Sequence, residues 1–222
     1  MRIRRLVHAG LELEHEGLTI LVDPGKYCFR GGHPLARWEP EDFAPDVLLF
    51  THAHADHFLP EATATMFQRT HPHILGSREV VEALSGLGIS ATHTPPGYVA
   101  TLDPVKVQAV PADHRRPGET VGYVISWAGL ALYHCGDTHY MAEKPQADIV
   151  FVPIGDLAYT MDPAEAARFT REIAPRWAVP IHYESPKMSV TPQEFVVAME
   201  GSGIEVKVLA VGETWSPTTH GG

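Results

Sequence analysis

Apolar and polar positions along the chain fall into two regimes, short β-type runs and longer stretches with helical spacing. Residues 2–8, 11–14 and 18–22 predict three opening strands, parted by turns at Gly10 and Gly17. Pro45-Asp-Val-Leu-Leu-Phe-Thr is a continuous apolar run of the kind that fills a strand covered on both faces. Residues 59–69 and 77–85 predict helices, the second with Ser77 as its N-cap. The pattern returns to β at 105–110 and 120–127, and at 130–134 after an Ala128-Gly129 turn; Asp148-Ile-Val-Phe-Val-Pro-Ile predicts another buried strand. Asp162-Pro163-Ala-Glu165 sets an N-cap, a proline at the first helical position and an acid at the third, and Thr191-Pro192-Gln-Glu194 repeats that signature ahead of 195–199. Between these two helices residues 177–181 read as strand, and 204–209 as a further one. Strands in each half with helices interspersed predict two sheets packed together under outer helices. No linker, low-complexity tract or short-period repeat interrupts the pattern, so residues 1–222 are expected to form a single domain.

Composition narrows the classes. Hydrophobic residues at 44% and charged residues at 20% are globular values, which excludes a disordered, collagenous or coiled-coil chain. No apolar run approaches the roughly 20 residues of a membrane-spanning helix. The opening Met1-Arg-Ile-Arg-Arg-Leu-Val is not followed by the apolar stretch of a signal peptide, and two cysteines make no disulfide framework, so a cytoplasmic protein is expected. Lysine and arginine total 17 against 27 acids, and the net charge of −10 argues against a non-specific nucleic-acid binder. The 14 histidines stand out, because histidine is the commonest metal ligand.

Their placement is informative. The predicted strand at 45–51 runs into His52-Ala53-His54-Ala55-Asp56-His57, four candidate ligands within six residues. In an extended segment His52 and His54 point the same way by the period-2 rule. Asp56 and His57, after a bend, can face a second ion, and the small Ala53 and Ala55 keep the spacers clear. A polar surface loop is the plain alternative, and the clustering of His and Asp weighs against it.

The pattern His52-x-His54-x-Asp56-His57 resembles the signature of the metallo-β-lactamase superfamily. Three further motifs stand in family order: His114 in Pro111-Ala-Asp-His, Asp137 in Cys135-Gly-Asp-Thr and His182 in Pro180-Ile-His-Tyr, at intervals of 57, 23 and 45 residues counted from His57. The resemblance implies an α/β fold, the four-layer αβ/βα sandwich, with metals at one edge. It implies that His52, His54 and His114 surround one ion, that Asp56, His57 and His182 hold another, and that Asp137 bridges, with Asp56 and Asp137 central to catalysis. The implied cofactors are two divalent ions, zinc first, with manganese or iron(II) as alternatives. Such a pair supplies a bridging hydroxide at neutral pH that attacks a carbonyl carbon or phosphorus. Asp23 matches the family's first motif, which implies that it orients a ligand histidine; a strand-ending turn residue before Pro24-Gly25 is an equal reading.

Other residues admit blander readings. His139 could approach the site from two residues past Asp137 but is expected in a solvated loop; His8 could pack near the site floor but fits better as a satisfied histidine at a strand end; and Cys135 is expected as a small buried residue rather than a nucleophile. Arg115 and Arg116 are candidates to hold an anionic group of the substrate, although surface arginines in a Pro-Gly-rich loop fit slightly better. Tyr159 and Tyr183 are candidate donors to an oxyanion, or simply core or rim aromatics. His15, His33, His71, His73, His93 and His220 carry no assigned role. The motif surroundings from Pro153 to Tyr183 look most like small metal-dependent hydrolases related to ascorbate-phosphate lactonase. That branch implies cleavage of a small ester, lactone or phosphodiester. Two departures stand out: Ala53 where a glycine is frequent, and Arg115-Arg116 where small polar residues are. The alternatives are a thioester hydrolase of the glyoxalase II type and a metal-binding module without turnover. A small-molecule substrate is expected in the enzymatic readings, and the oligomeric state stays open.

Overall fold

A computed structural model describes residues 1–185 and 187–218; His220 lies outside them. The chain divides into two compact units, residues 1–94 with 209–218, and Pro95–Val208.

The first unit is built on a seven-stranded mixed sheet. β1 (Arg2–Arg5), β2 (Leu11–His15) and β3 (Leu18–Val22) form an antiparallel meander, and β4 (Val47–Phe50), β5 (His73–Gly76) and β6 (Thr92–His93) extend it in parallel. The strand numbered last in the chain, β14 (Thr214–Trp215), returns antiparallel to the other side of β1. Helices α1 (Pro60–Thr70) and α2 (Arg78–Ser85) supply Ala62, Met66, Val80 and Leu84 to a core with Leu48 and Phe50 of β4. All four β4 residues are buried, as the continuous apolar run predicts. Two local expectations are corrected. β1 stops at Arg5 instead of running to residue 8, because the amide of Leu6 donates to the Gly10 carbonyl at 2.8 Å and that of Gly10 to Val7 at 3.2 Å, closing a tight turn. A Cβ on Gly10 would lie 2.5 Å from Cys28 Sγ, so the turn needs glycine there. Ser77 does stand at the N-cap of α2 but makes no side-chain capping bond.

The second unit carries another seven-stranded mixed sheet. β7 (Val99–Leu102), β8 (Val105–Pro111), β9 (Val121–Trp127) and β10 (Leu130–His134) are antiparallel neighbours. β11 (Ile149–Pro153), β12 (Trp177–Ile181) and β13 (Glu205–Val206) follow in parallel. α3 (Pro163–Ile173) and α4 (Pro192–Ala198) start where the capping signatures place them. Asp162 accepts from the Glu165 amide at 2.8 Å, and Thr191 and Glu194 close a full capping box. Phe169, Ile173 and Phe195 of these helices pack with Tyr133, Val150, Val152 and Ala178 of the sheet. β13 covers only part of the predicted 204–209, because the chain leaves this unit after Val208. Among the described residues no helix is long and apolar enough to cross a membrane.

Candidate metal centre

In the first unit the ligand segment leaves the C-terminal end of β4. Its shape is set by backbone bonds: the amides of His57 and Phe58 both donate to the His54 carbonyl, at 2.9 and 2.8 Å. The Phe58 ring then anchors the bend edge-on against Phe50 at 4.9 Å. A second chain segment, Asp23 to Lys26, is pressed against the loop, with the Lys26 amide donating to the Ala55 carbonyl at 2.8 Å. A Cβ on Gly25 would lie 2.1 Å from the Asp56 carbonyl oxygen, so only glycine permits this approach.

Asp23, fully buried and at φ 46°, organises the histidines. Its Oδ1 accepts from the Thr51 amide at 2.8 Å, and its Oδ2 from the Thr51 hydroxyl at 2.6 Å. His57 Nδ1 lies 2.8 Å from the same Oδ2. A carboxylate only accepts, so the proton sits on His57 Nδ1 and the lone pair is on Nε2. Thr51 Oγ1, its proton given to Asp23, lies 3.0 Å from His52 Nδ1 and is left to accept from it, which puts the His52 lone pair on Nε2 as well. His52 Nε2 in turn lies 3.0 Å from His54 Nδ1. One carboxylate therefore sets the tautomers of two histidines, one directly and one through a threonine. Donor atoms of His8, Asp56 and His57 lie within 4.8 Å of one another, as do those of His52 with His54 and of His52 with His57.

In the second unit three strands end at the three remaining candidates. His114 follows β8, Asp137 follows β10 through Cys135-Gly136, and His182, at φ 70°, follows β12. All three are buried. Asp137 Oδ1 lies 3.0 Å from His182 Nε2, and its Oδ2 lies 4.0 Å from His114 Nδ1, so each carboxylate oxygen faces a different histidine. The loops are tied together by the Asp113 amide donating to Thr138 Oγ1 at 3.0 Å and the His139 amide donating to the Asp113 carbonyl at 2.8 Å. That second bond corrects the expectation for His139, which is buried and not solvated. Burial, and after it the charge of Arg115, holds its pKa below the ordinary imidazole value. Burial also pushes the Cys135 thiol well up, which fits a packing residue and not a nucleophile.

The candidate substrate-binding residues, all in this unit, separate. Arg115 is exposed and pairs with Asp113 at 3.1 Å. Arg116 is exposed, lies over the Tyr159 ring at 4.6 Å and donates to the Ala158 carbonyl at 3.2 Å. Tyr183, half-buried, packs against the α3–α4 core. Two contributors, Thr51 and Gly25, escape a reading of the sequence, and His8 is legible there only as a histidine that could pack near the site floor. The only signal for Thr51 is a hydroxyl directly before the first histidine, and Gly25 is masked by its place in an ordinary Asp-Pro-Gly turn.

Imidazole nitrogens and carboxylate oxygens, several within 4.8 Å of one another, form a donor set that could hold a metal ion. The comparisons with known proteins agree. A family described as the beta-lactamase superfamily domain matches residues 2–182. A UPF0173 metal-dependent hydrolase of Methanopyrus kandleri is 32% identical over 97% of this chain and 99% of its own length. Another, of Thermococcus onnurineus, is 33% identical over 96% and 98%. The solved structure of Igni18, a metallo hydrolase from Ignicoccus hospitalis, superposes with a TM-score of 0.84 at 28% identity, covering 98% of this chain and 99% of that one.

Proposed function

We propose, from the premise that this chain belongs to the metallo-β-lactamase superfamily and is one of its small metal-dependent hydrolases, that it works with two divalent ions to cleave a small ester, lactone or phosphodiester in the cytoplasm. In this reading residues 1–222 act as one hydrolase domain. His52, His54 and His114 hold one ion, Asp56, His57 and His182 the other, and Asp137 serves both. The observation that carries the reading is the stance of Asp137, with one oxygen toward His182 and the other toward His114, as a bridging carboxylate requires. Two such ions, zinc first because imidazoles and carboxylates suit it, would supply hydroxide at neutral pH and stabilise negative charge on the attacked oxygen.

The chain's own residues do the rest. Asp23 and Thr51 keep the lone pairs of His57 and His52 on Nε2. Asp56, only half-buried beside the buried histidines, is the carboxylate with most access to a substrate's proton. Arg116, with its guanidinium stacked on Tyr159, offers a preoriented fork for a carboxylate or phosphate on the substrate. Tyr159 is thereby a support for Arg116, while Tyr183 stands next to His182 as the nearest phenol in sequence. Arg115, already paired with Asp113, contributes less.

Metal content of the purified, untagged chain by mass spectrometry tests the reading, followed by a panel of activated esters, lactones and phosphodiesters. Close to two ions per chain with turnover of at least one class is expected. No bound ion after incubation with zinc or manganese would sink it, and two ions without any turnover would favour a binding module. Activity confined to glutathione thioesters would favour the glyoxalase II type. Arg116→Ala is expected to raise KM for an anionic substrate about tenfold with little change in kcat, the scale of one charged hydrogen bond. An unchanged KM would remove Arg116 from substrate binding.

A further inference from the structure

His8 is a fully buried histidine that the ligand set above does not use. It sits in the turn between β1 and β2, in the left-handed region at φ 65°, where a residue with a Cβ is strained by about 1 kcal/mol or more. The turn holds it there from several sides. The bond from Leu6 to Gly10 closes the turn, and Arg5, itself buried, donates Nη2 to the His8 carbonyl at 3.4 Å and Nη1 to the Leu209 carbonyl at 3.2 Å. The ring is packed edge-on by Tyr27 at 5.2 Å and by His57 at 5.9 Å. Its Nε2 lies 3.3 Å from Asp56 Oδ2.

An imidazole removed from water loses several kcal/mol of hydration unless a partner replaces it, and a strained backbone persists only where the surroundings over-determine it. Asp56 Oδ2, 3.3 Å from Nε2, is a carboxylate placed to replace that hydration. We infer that His8 is a positioning residue: its Nε2–H donates to Asp56 and holds that carboxylate in the orientation in which it binds the ion it shares with His57. Asp56 needs such a partner. It lies on an exposed-to-half-buried stretch of the loop, whereas Asp23 serves the histidines on either side. The first unit would then have two supports for its ligand loop, Asp23 for the imidazoles and His8 for the carboxylate. The inference rests on Asp56 being a metal ligand.

The test is a titration of the metal-free full chain with zinc against a chromophoric chelator, giving a Kd for each ion, with the melting temperature of the metal-free form alongside. His8→Gln keeps a donor at the reach of Nε2, and His8→Leu fills similar space without one. His8→Leu is expected to weaken one ion by about 10–100-fold, the scale for losing a group that orients a ligand, and to leave the other within a few-fold. His8→Gln is expected to recover most of that loss while melting, metal-free, close to His8→Leu. If His8→Leu does not fold, His8→Ala takes its place in the comparison. His8→Gln binding as weakly as the donor-less variant would overturn the inference, since a direct ligand or a pure packing role both predict that. Unchanged affinity in the donor-less variant would overturn it too. A wild-type chain that binds no zinc in the same titration would instead defeat the ligand assignment on which this rests.

Discussion

Replacing Asp137 by alanine is expected to strip the protein of both proposed ions, whereas replacing His114 by alanine should remove mainly one. The contrast follows from the geometry of a single carboxylate. Oδ1 of Asp137 faces His182 at 3.0 Å and Oδ2 faces His114 at 4.0 Å, so the side chain serves two histidines assigned to different ions. In the proposed two-ion arrangement, truncation removes a ligand from each ion and also the negative charge that offsets repulsion between them. Each affinity should fall by more than the about 10–100-fold that follows loss of a merely supporting group, and activity with it. Asp137 is buried in a loop after β10, and its removal leaves the β10 pairing with β9 and β11 intact, so the variant should still fold. The check is metal content per chain by mass spectrometry together with far-ultraviolet circular dichroism. Retention of two ions by a folded Asp137→Ala protein would exclude the bridge. Loss of both ions in His114→Ala would mean that the two sites are not separable by ligand.

What the sequence makes legible is what is written locally. The ligand run from His52 to His57 is contiguous, and the strand feeding it is a continuous apolar run, so both can be read without knowing any partner. The helices at Pro163 and Pro192 announce themselves because their caps are side-chain bonds to residues three positions on. Ser77 has the right residue type and position but no such bond, so residue type alone locates a helix start without showing how it is stabilised. The strands that escape prediction, β5, β6, β7 and β14, have two to four residues each, too short for an alternating pattern to register, and all but β7 pair with a strand well removed in the chain. Asp23 shows that two readings of one residue need not compete: it directly follows β3, and it also accepts from Thr51 and His57, 28 and 34 positions away. The burial of His139 and the setting of His8 are not legible locally for the same reason. Burial of the first accompanies a bond to the carbonyl of Asp113, and the partner of the second lies 48 positions away at Asp56.

The relay from Asp23 leads to the other large effect. Asp23→Asn is expected to weaken both ions, and Thr51→Val to weaken chiefly the one held by His52. An asparagine in place of Asp23 presents one acceptor and one donor where the carboxylate presents two acceptors. It can satisfy the Thr51 amide or His57 Nδ1, but not the full set that Asp23 accepts at 2.6–2.8 Å. If the amide nitrogen faces His57, the ring must flip its proton to Nε2, and the lone pair needed for the metal is lost. If it takes the place of Oδ1 instead, it opposes the Thr51 amide donor to donor, and the segment that carries His52 must shift. Either arrangement should lower affinity by about 10–100-fold for at least one ion and degrade the other. Thr51→Val keeps the shape and leaves the Asp23–His57 contact in place, but removes the link to His52 Nδ1, so its loss should fall on a single ion. Chelator-competition titrations of the two variants beside the wild type check this, with metal-free melting temperatures to separate ligand orientation from folding. A Thr51→Val protein that loses both ions equally would show that the threonine supports the whole loop and not one tautomer. An Asp23→Asn protein with wild-type affinities would show that the histidines hold their orientation without the carboxylate.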